Sequence, residues 1–180
     1  MIKLKFLIII ALLLYVNTVR AMTYEVLQGS FSIQGEGFPV DNITIIPGTG
    51  TFTEGEYGPS GLDRFIFFGA PNATYFSETS LTGNNMPVPT VDLENLTADF
   101  SSFVWVEFGS YPLHQGALAE LVAIDDFYRA SWSSIITGAS FYGYTTEWTM
   151  DIRPVPLPAA FWLFVSGLIG MFGVARNKNN

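Results

Sequence analysis

The sequence predicts an all-β fold, with one β-sandwich-like domain over residues 22–153 between two apolar chain ends. The clearest observation comes from 142–152, where one face carries Tyr142, Tyr144, Thr146, Trp148, Met150 and Ile152 and the other carries Gly, Thr, Glu and Asp. Such alternation is typical of a strand with one buried face, and Pro154 is expected to end it. The second observation is that short runs of β-branched and aromatic residues recur between Gly-, Pro- and Asn-rich clusters.

The earlier strands are predicted in chain order from these runs. Each run is bounded by a turn-forming cluster such as Pro47-Gly48 or Gly83-Asn84-Asn85. We expect strands at 24–33, 43–46, 50–53, 64–68, 74–79 and 101–108.

The segment 118–127 has two interpretations. Leu118, Leu121, Val122 and Asp125 would share one face of a helix, whereas the run 121–124 is also typical of a buried strand. We favour the strand. The segment Tyr111–His114 with the two residues after it has the composition of a turn.

The N-terminal end has the layout of a secretory signal peptide over residues 1–21. Lys3 and Lys5 precede the 11-residue apolar run 6–16, which is too short to span a bilayer comfortably. Small residues before the expected cut predict cleavage between Ala21 and Met22. The alternative is an uncleaved anchor.

The C-terminal end, residues 154–180, contains a proline-rich stretch, an uncharged apolar span and a basic tail. The span 159–175 has 17 residues, which gives a helix about 25 Å long, near the short limit for crossing a membrane. Arg176 and Lys178 follow at once and are expected to act as a cytoplasmic stop, which leaves the domain outside. The prolines should keep the segment before the span extended and accessible.

These residues, in this order and spacing, resemble the PEP-CTERM sorting domain of Gram-negative bacteria in its VPLPA variant. The resemblance covers about the last 25 residues of the chain. Leu157 stands where the namesake motif has Glu. The motif residues are Val155, Pro156, Leu157, Pro158 and Ala159.

The resemblance implies an exported protein that is a substrate of an exosortase, a membrane cysteine enzyme that would cut near the proline motif. It implies transient anchoring in the membrane by the C-terminal helix, followed by release or transfer to the cell surface or the extracellular medium. It also implies a structural or adhesive role in the envelope or in an exopolysaccharide-containing biofilm matrix. Two alternatives stay open: a carbohydrate-binding module and an unprocessed single-pass membrane protein.

Composition limits what the domain can bind. All sixteen acidic residues but only three of the eight basic ones fall within 22–153, which gives a formal net charge of −13. Such a surface repels nucleic acid, so we expect no nucleic-acid partner. The chain has no cysteine, so a domain exported to an oxidising compartment must take its stability from a packed core.

The search for chemistry predicts no enzyme, no cofactor and no metal site built from His and Cys, while calcium binding through carboxylates stays open. The single histidine, His114, would have to be the base of any Ser-His-Asp site. The acidic groups Asp92/Glu94/Asp99 and Asp125/Asp126 do not match an EF-hand loop, and Glu54/Glu56 lie in an expected turn. Aromatic residues able to stack on sugars are also candidates for the core; they are Trp105, Trp132, Trp148, Tyr142 and Tyr144.

Overall fold

Antiparallel strands form the ordered body of the protein, so the all-β prediction is confirmed. The structure, a computed structural model, describes residues 21–35, 40–47, 50–58, 61–67, 69–80, 83–107, 111–138, 141–156, 164 and 166–167. The predicted signal peptide before Ala21 lies outside this range.

The described residues form twelve strands whose inward positions carry the aromatic and β-branched residues. They are β1 (Thr23–Gln34), β2 (Val40–Pro47), β3 (Thr51–Thr53), β4 (Asp63–Phe67), β5 (Ala70–Phe76), β6 (Thr90–Asp92), β7 (Thr97–Asp99), β8 (Phe103–Glu107), β9 (Tyr111–His114), β10 (Leu118–Ile124), β11 (Phe127–Ile135) and β12 (Thr145–Pro154).

The strands follow one antiparallel path in the order β6-β7-β10-β11-β12-β1-β2-β4-β5-β8-β9, and β3 pairs with β1 beside this path. The path bends at β2. One part of β2 pairs with β1, and its last residues pair with β4, with Ile46 opposite Arg64. The β-strands on the two sides of this bend can therefore turn their inner faces toward one another.

Aromatic side chains fill the space between these faces. Phe31 of β1 stacks on Trp148 of β12 at 4.8 Å and meets Trp105 of β8 at 5.5 Å. Phe103 of β8 meets Trp132 of β11 at 5.2 Å. Each such pair contributes about 0.5–1.5 kcal/mol beyond the burial of its area. This aromatic core stabilises a chain that has no disulfide.

A buried polar network lies within this core around Gln115, which is fully buried. Its side-chain oxygen accepts hydrogen bonds from Ser134 at 2.9 Å and from Thr146 at 2.7 Å. The indole of Trp132 donates to its backbone carbonyl at 2.7 Å. The next residue has to be Gly116, because a Cβ there would collide with the backbone of Phe100 and Ser101.

The structure corrects three local predictions. The last strand begins at Thr145, and Tyr142 lies in a turn with Gly143, whose φ is +83°. The strand predicted at 74–79 is β5, which begins earlier, at Ala70, and ends at Phe76. His114 ends strand β9 and does not lie in a turn.

The favoured strand is confirmed over Leu118–Ile124, which is β10, but only Ala119 and Leu121 of it are buried, so the prediction of a buried strand is wrong. Ile124 pairs with Phe127, and Asp125 and Asp126 form the turn to β11. Asp125 has a φ of 47°, a conformation that Asp tolerates better than most residues do. The helical face drawn through Leu118 and Asp125 does not form.

Candidate functional site

The two ends of the domain leave it side by side. Tyr24 at the start of β1 pairs with Pro154 at the end of β12. The backbone N–H of Val155 donates to the carbonyl of Thr23 at 2.8 Å. We call this edge, formed by Met22–Gln28 and Asp151–Val155 with the neighbouring β10–β11 turn, the exit end. The expected signal-cleavage bond and the proline motif thus adjoin the same edge of the domain.

Arg153 ties the strands of the exit end together. Its guanidinium donates to Glu25 of β1 at 2.7 Å and to Asp126 of the β10–β11 turn at 2.9 Å. All three side chains are substantially exposed. Arg153 immediately precedes Pro154, so the last residues before the proline motif are held against β1 and the turn.

Asp151 connects three strands on the outer face of the same end. Arg129 of β11 donates to both of its carboxylate oxygens, at 2.7 and 2.8 Å, and Gln28 of β1 donates at 2.8 Å. The Asp151 side chain is only 3% exposed. Burial alone would raise the pKa of Asp151, but hydrogen bonds from Arg129 and Gln28 and the guanidinium charge lower it overall. Asp151 is therefore a buried carboxylate whose charge is compensated.

The predicted processing residues are only partly described. Ala21 and Met22 are exposed just before β1, and Val155 and Pro156 are exposed just after β12. Leu157, Pro158 and Ala159 of the motif and the basic residues Arg176 and Lys178 lie outside the described residues.

The apolar span 159–175 is represented by Phe164, Ser166 and Gly167, which are helical and exposed. Within the described part of the chain, no helix reaches the length and apolar character needed to cross a bilayer.

The tryptophans proposed for sugar stacking belong to the core. Trp105, Trp132 and Trp148 are 0%, 5% and 1% exposed, and each indole N–H has an internal acceptor. They cannot stack on an external ligand in this fold. Tyr142 is different, because 74% of it is exposed. Tyr144 is partly buried against the core.

Three acidic residues of the groups Asp92/Glu94/Asp99 and Asp125/Asp126 make local contacts through their carboxylates. Asp92 accepts hydrogen bonds from the backbone N–H groups of Glu94 and Asn95, and Asp99 accepts one from Ser101. Asp126 binds Arg153 at the exit end. Among the described residues, no three metal-ligating side chains come together.

His114 is partly buried. Burial lowers its pKa, and a backbone hydrogen bond with Thr79 opposes this shift. Its Nδ1 atom is buried and has no hydrogen-bond partner among the described residues. Such surroundings favour a neutral, structural histidine.

Asp63 is a second buried carboxyl group, which the sequence did not indicate. It is fully buried at the start of β4; its Oδ2 lies 3.5 Å from the Thr74 hydroxyl, and its Oδ1 has no partner among the described residues. Burial raises the pKa of Asp63 to about 7, although the hydrogen bond from Thr74 acts to lower it. Part of the Asp63 population is therefore protonated near neutral pH.

The outer face of β4, β5 and β8 carries a shallow depression of about 560 Å³. Its lining is mainly apolar and includes Ile66, Pro71, Ala73 and Val106, with Arg64 as the charged residue. A depression of this composition offers no acid–base pair for catalysis. The described residues among the predicted processing residues lie at the exit end, and we therefore take the exit end as the candidate functional site.

No protein-family model, curated protein or solved structure matches this chain.

Proposed function

We propose that this chain is an exported protein of a Gram-negative bacterium that an exosortase-type membrane enzyme sorts to the cell surface or the extracellular matrix. Its β-sandwich-like domain would serve there as a structural or adhesive component, without catalysis and without binding nucleic acid. The signal peptide 1–21 would direct export, and the helix 159–175 would anchor the domain in the membrane until processing.

The observation that carries the proposal is the meeting of both chain ends at the exit end. A signal peptide and a C-terminal span both place their neighbouring residues at the outer surface of the same membrane. The hydrogen bond from Val155 to Thr23 brings these two neighbourhoods together on one edge of the domain. The domain would therefore lie next to the membrane with both chain ends facing it, and no strand would have to rearrange.

The position of the proline motif further supports this proposal. Val155 and Pro156 are exposed, and they follow directly after a strand that Arg153 and Asp151 hold in place. Proline favours an extended chain, and a processing enzyme generally binds its substrate in an extended form. The two described residues of the motif, Val155 and Pro156, thus lie exposed next to the folded domain.

The charge of the domain favours a surface role. A formal net charge of −13 over 22–153 promotes solubility after release and opposes binding to anionic polymers such as nucleic acid.

Intact-mass measurement on protein from the native cell tests the proposal. The chain is isolated from a strain with the cognate sorting enzyme and from a strain in which that enzyme is deleted. We expect a chain that begins at Met22 in both strains and lacks the residues after Pro156 or Pro158 only when the enzyme is present.

A full C-terminal tail in both strains would contradict sorting and would support the alternative of a permanent single-pass membrane protein. Replacing Pro156 and Pro158 together with Ala provides a matched control, because it alters the motif and leaves the apolar span intact. If sorting reads the motif, this variant keeps its tail even when the enzyme is present.

A further inference from the structure

We propose that Glu54 forms a binding site for the α-ammonium group that signal-peptide cleavage creates on Met22. The inference rests on the proposed export and names a role for a residue that the sequence places in a simple turn. Its consequence is that the domain reaches full stability only after it has been processed.

The geometry is already present at the exit end. The backbone nitrogen of Met22 donates to Oε2 of Glu54 at 3.1 Å. In the opposite direction, the backbone N–H of Glu54 donates to the carbonyl of Met22 at 2.9 Å. Two bonds between the same residues fix Met22 beside the carboxylate, with the neighbouring hydroxyls of Thr23 and Thr53 in contact at 3.1 Å.

The second oxygen of Glu54 holds the carboxylate in place. Its Oε1 accepts a hydrogen bond from the backbone N–H of Val91 at 2.8 Å, in the middle of the edge strand β6. The Glu54 carboxylate therefore bridges Met22 and β6. Hydrogen bonds to both of its oxygens hold the side chain in one conformation. A preorganised acceptor loses little side-chain entropy when a cation arrives.

Glu54 has no basic partner among the described residues, where the ion pairs involve Arg129 and Arg153. Its negative charge nevertheless acts on its surroundings. Burial raises the pKa of Tyr24, and the charge of Glu54 raises it further. A carboxylate held in this way would be stabilised by a positive charge at Met22.

Cleavage supplies that charge. Hydrolysis adds one water across the Ala21–Met22 bond, so that Ala21 leaves as a carboxylate and the nitrogen of Met22 becomes an ammonium group. An α-amino group has an ordinary pKa of about 7.7–8.0 and is mostly protonated at neutral pH. The neutral amide that donates to Glu54 before cleavage is thereby replaced by a cation, and charge-assisted hydrogen bonds are the stronger kind.

The lysine content of the chain allows a selective test. The lysines are Lys3, Lys5 and Lys178, and the first two leave with the signal peptide. In the full-length exported chain carrying Lys178→Arg, the Met22 α-amine is then the only primary amine. Acetylation of this protein in detergent converts that amine into a neutral amide, as in the uncleaved chain, and so removes its charge.

We expect acetylation to lower the Tm of this protein by about 2–4 °C, the size of a partly exposed ion pair in a domain of this length. Glu54→Gln should abolish the difference between acetylated and free protein. Glu56→Gln, an exposed carboxylate two residues away, should preserve it. The free α-amine should also acetylate several-fold more slowly in the parent than in Glu54→Gln.

An equal loss of Tm in parent and Glu54→Gln, or no loss in the parent, would overturn the inference. An intact-mass measurement identifies the cleaved bond independently of the Tm comparison. If the exported chain begins elsewhere, a chain released at Met22 from an N-terminal fusion tests the Glu54 pair alone. Failure of the pair and failure of the processing prediction are thus distinguished.

Discussion

The two ends of the β1–β12–β11 unit are held together by different chemistry. At the exit end, the three ion pairs found among the described residues join β1, β11 and β12 through Arg129 and Arg153. At the opposite end, near Ile135 and Thr145, the contacts are neutral hydroxyl, amide and indole groups buried around Gln115. The difference shows that the charged contacts concentrate where the chain continues toward its predicted membrane segments.

Gln115→Ala should have the largest effect on stability, because it disrupts the neutral hydrogen-bond network around Gln115. The change removes the acceptor of Ser134 and Thr146 and leaves a cavity in a fully buried site. We expect the free energy of unfolding to fall by about 3–5 kcal/mol in urea titrations. The exposed Gln34→Ala is the control and should change it by less than about 0.5 kcal/mol. A loss below about 1 kcal/mol for Gln115→Ala would mean that the network contributes little.

Arg129→Met should break the charged end. It leaves Asp151 buried without its cation, which in buried pairs costs about 3–5 kcal/mol. The Arg129 side chain is 42% exposed, so water can partly replace it, and we expect about 2–3 kcal/mol. Arg64→Met, at an exposed arginine on β4, is the matched control in the same titration. Equal effects of the two substitutions would contradict the role given to Asp151.

The pH dependence of stability should separate the two buried carboxyl groups. The pKa of Asp63 is about 7 in the folded protein and near 3.8 when unfolded, so folding favours its protonated form. Its contribution is therefore most favourable below about pH 4, declines between about pH 4 and 7 by up to 1.4 kcal/mol per unit, and is lost above pH 7. The lowered pKa of Asp151 acts in the opposite sense, and its contribution is lost only as the solution becomes more acidic than the range where free Asp titrates.

In the parent, we expect the free energy of unfolding to fall by about 2 kcal/mol between pH 5 and 7 because of Asp63. Asp63→Asn should remove most of this fall. Denaturant titrations at several pH values measure it. Asp92→Asn is the control, because Asp92 lies on the surface. An unchanged slope in Asp63→Asn would show that Asp63 is not the group that titrates.

Arg153→Gln should have the smallest effect on stability. Its two ion pairs are exposed to water, and exposed pairs are weak and screened by salt. We expect at most a few degrees in Tm, decreasing further in 1 M salt. If Arg153→Gln lowered the stability as much as Arg129→Met does, the distinction between exposed and buried ion pairs at the exit end would be contradicted.

The alternation of residues predicted the inner face of the last strand well. Trp148, Met150 and Ile152 are buried as expected. The alternation could not predict that Asp151 on the outer face is also buried, because its partners come from other strands. Gln28 is 123 positions away and Arg129 is 22 positions away. A local pattern contains no information on pairs of this kind.

Strands β6, β7 and β11 were not predicted; β6 and β7 have only three residues each, which are too few to show a period. β9 was mistaken for a turn because of Pro112, and a proline is tolerated there since β9 lies at the edge of the sheet path. The proline motif was visible in the sequence, but its nearness to Met22 was not. That nearness depends on the pairing of Tyr24 with Pro154, which only the fold establishes.

The meeting of the two chain ends can be measured directly in the full-length protein. The chain has no cysteine, so a pair of introduced cysteines gives the only two thiols. A short bifunctional maleimide should cross-link Thr23→Cys with Val155→Cys. It should not link Thr23→Cys with Ile135→Cys, which lies about 30 Å away at the opposite end of the sheet. Cross-linking of the second pair but not the first would contradict a common exit end, and with it the presentation of both processing sites on one edge of the domain.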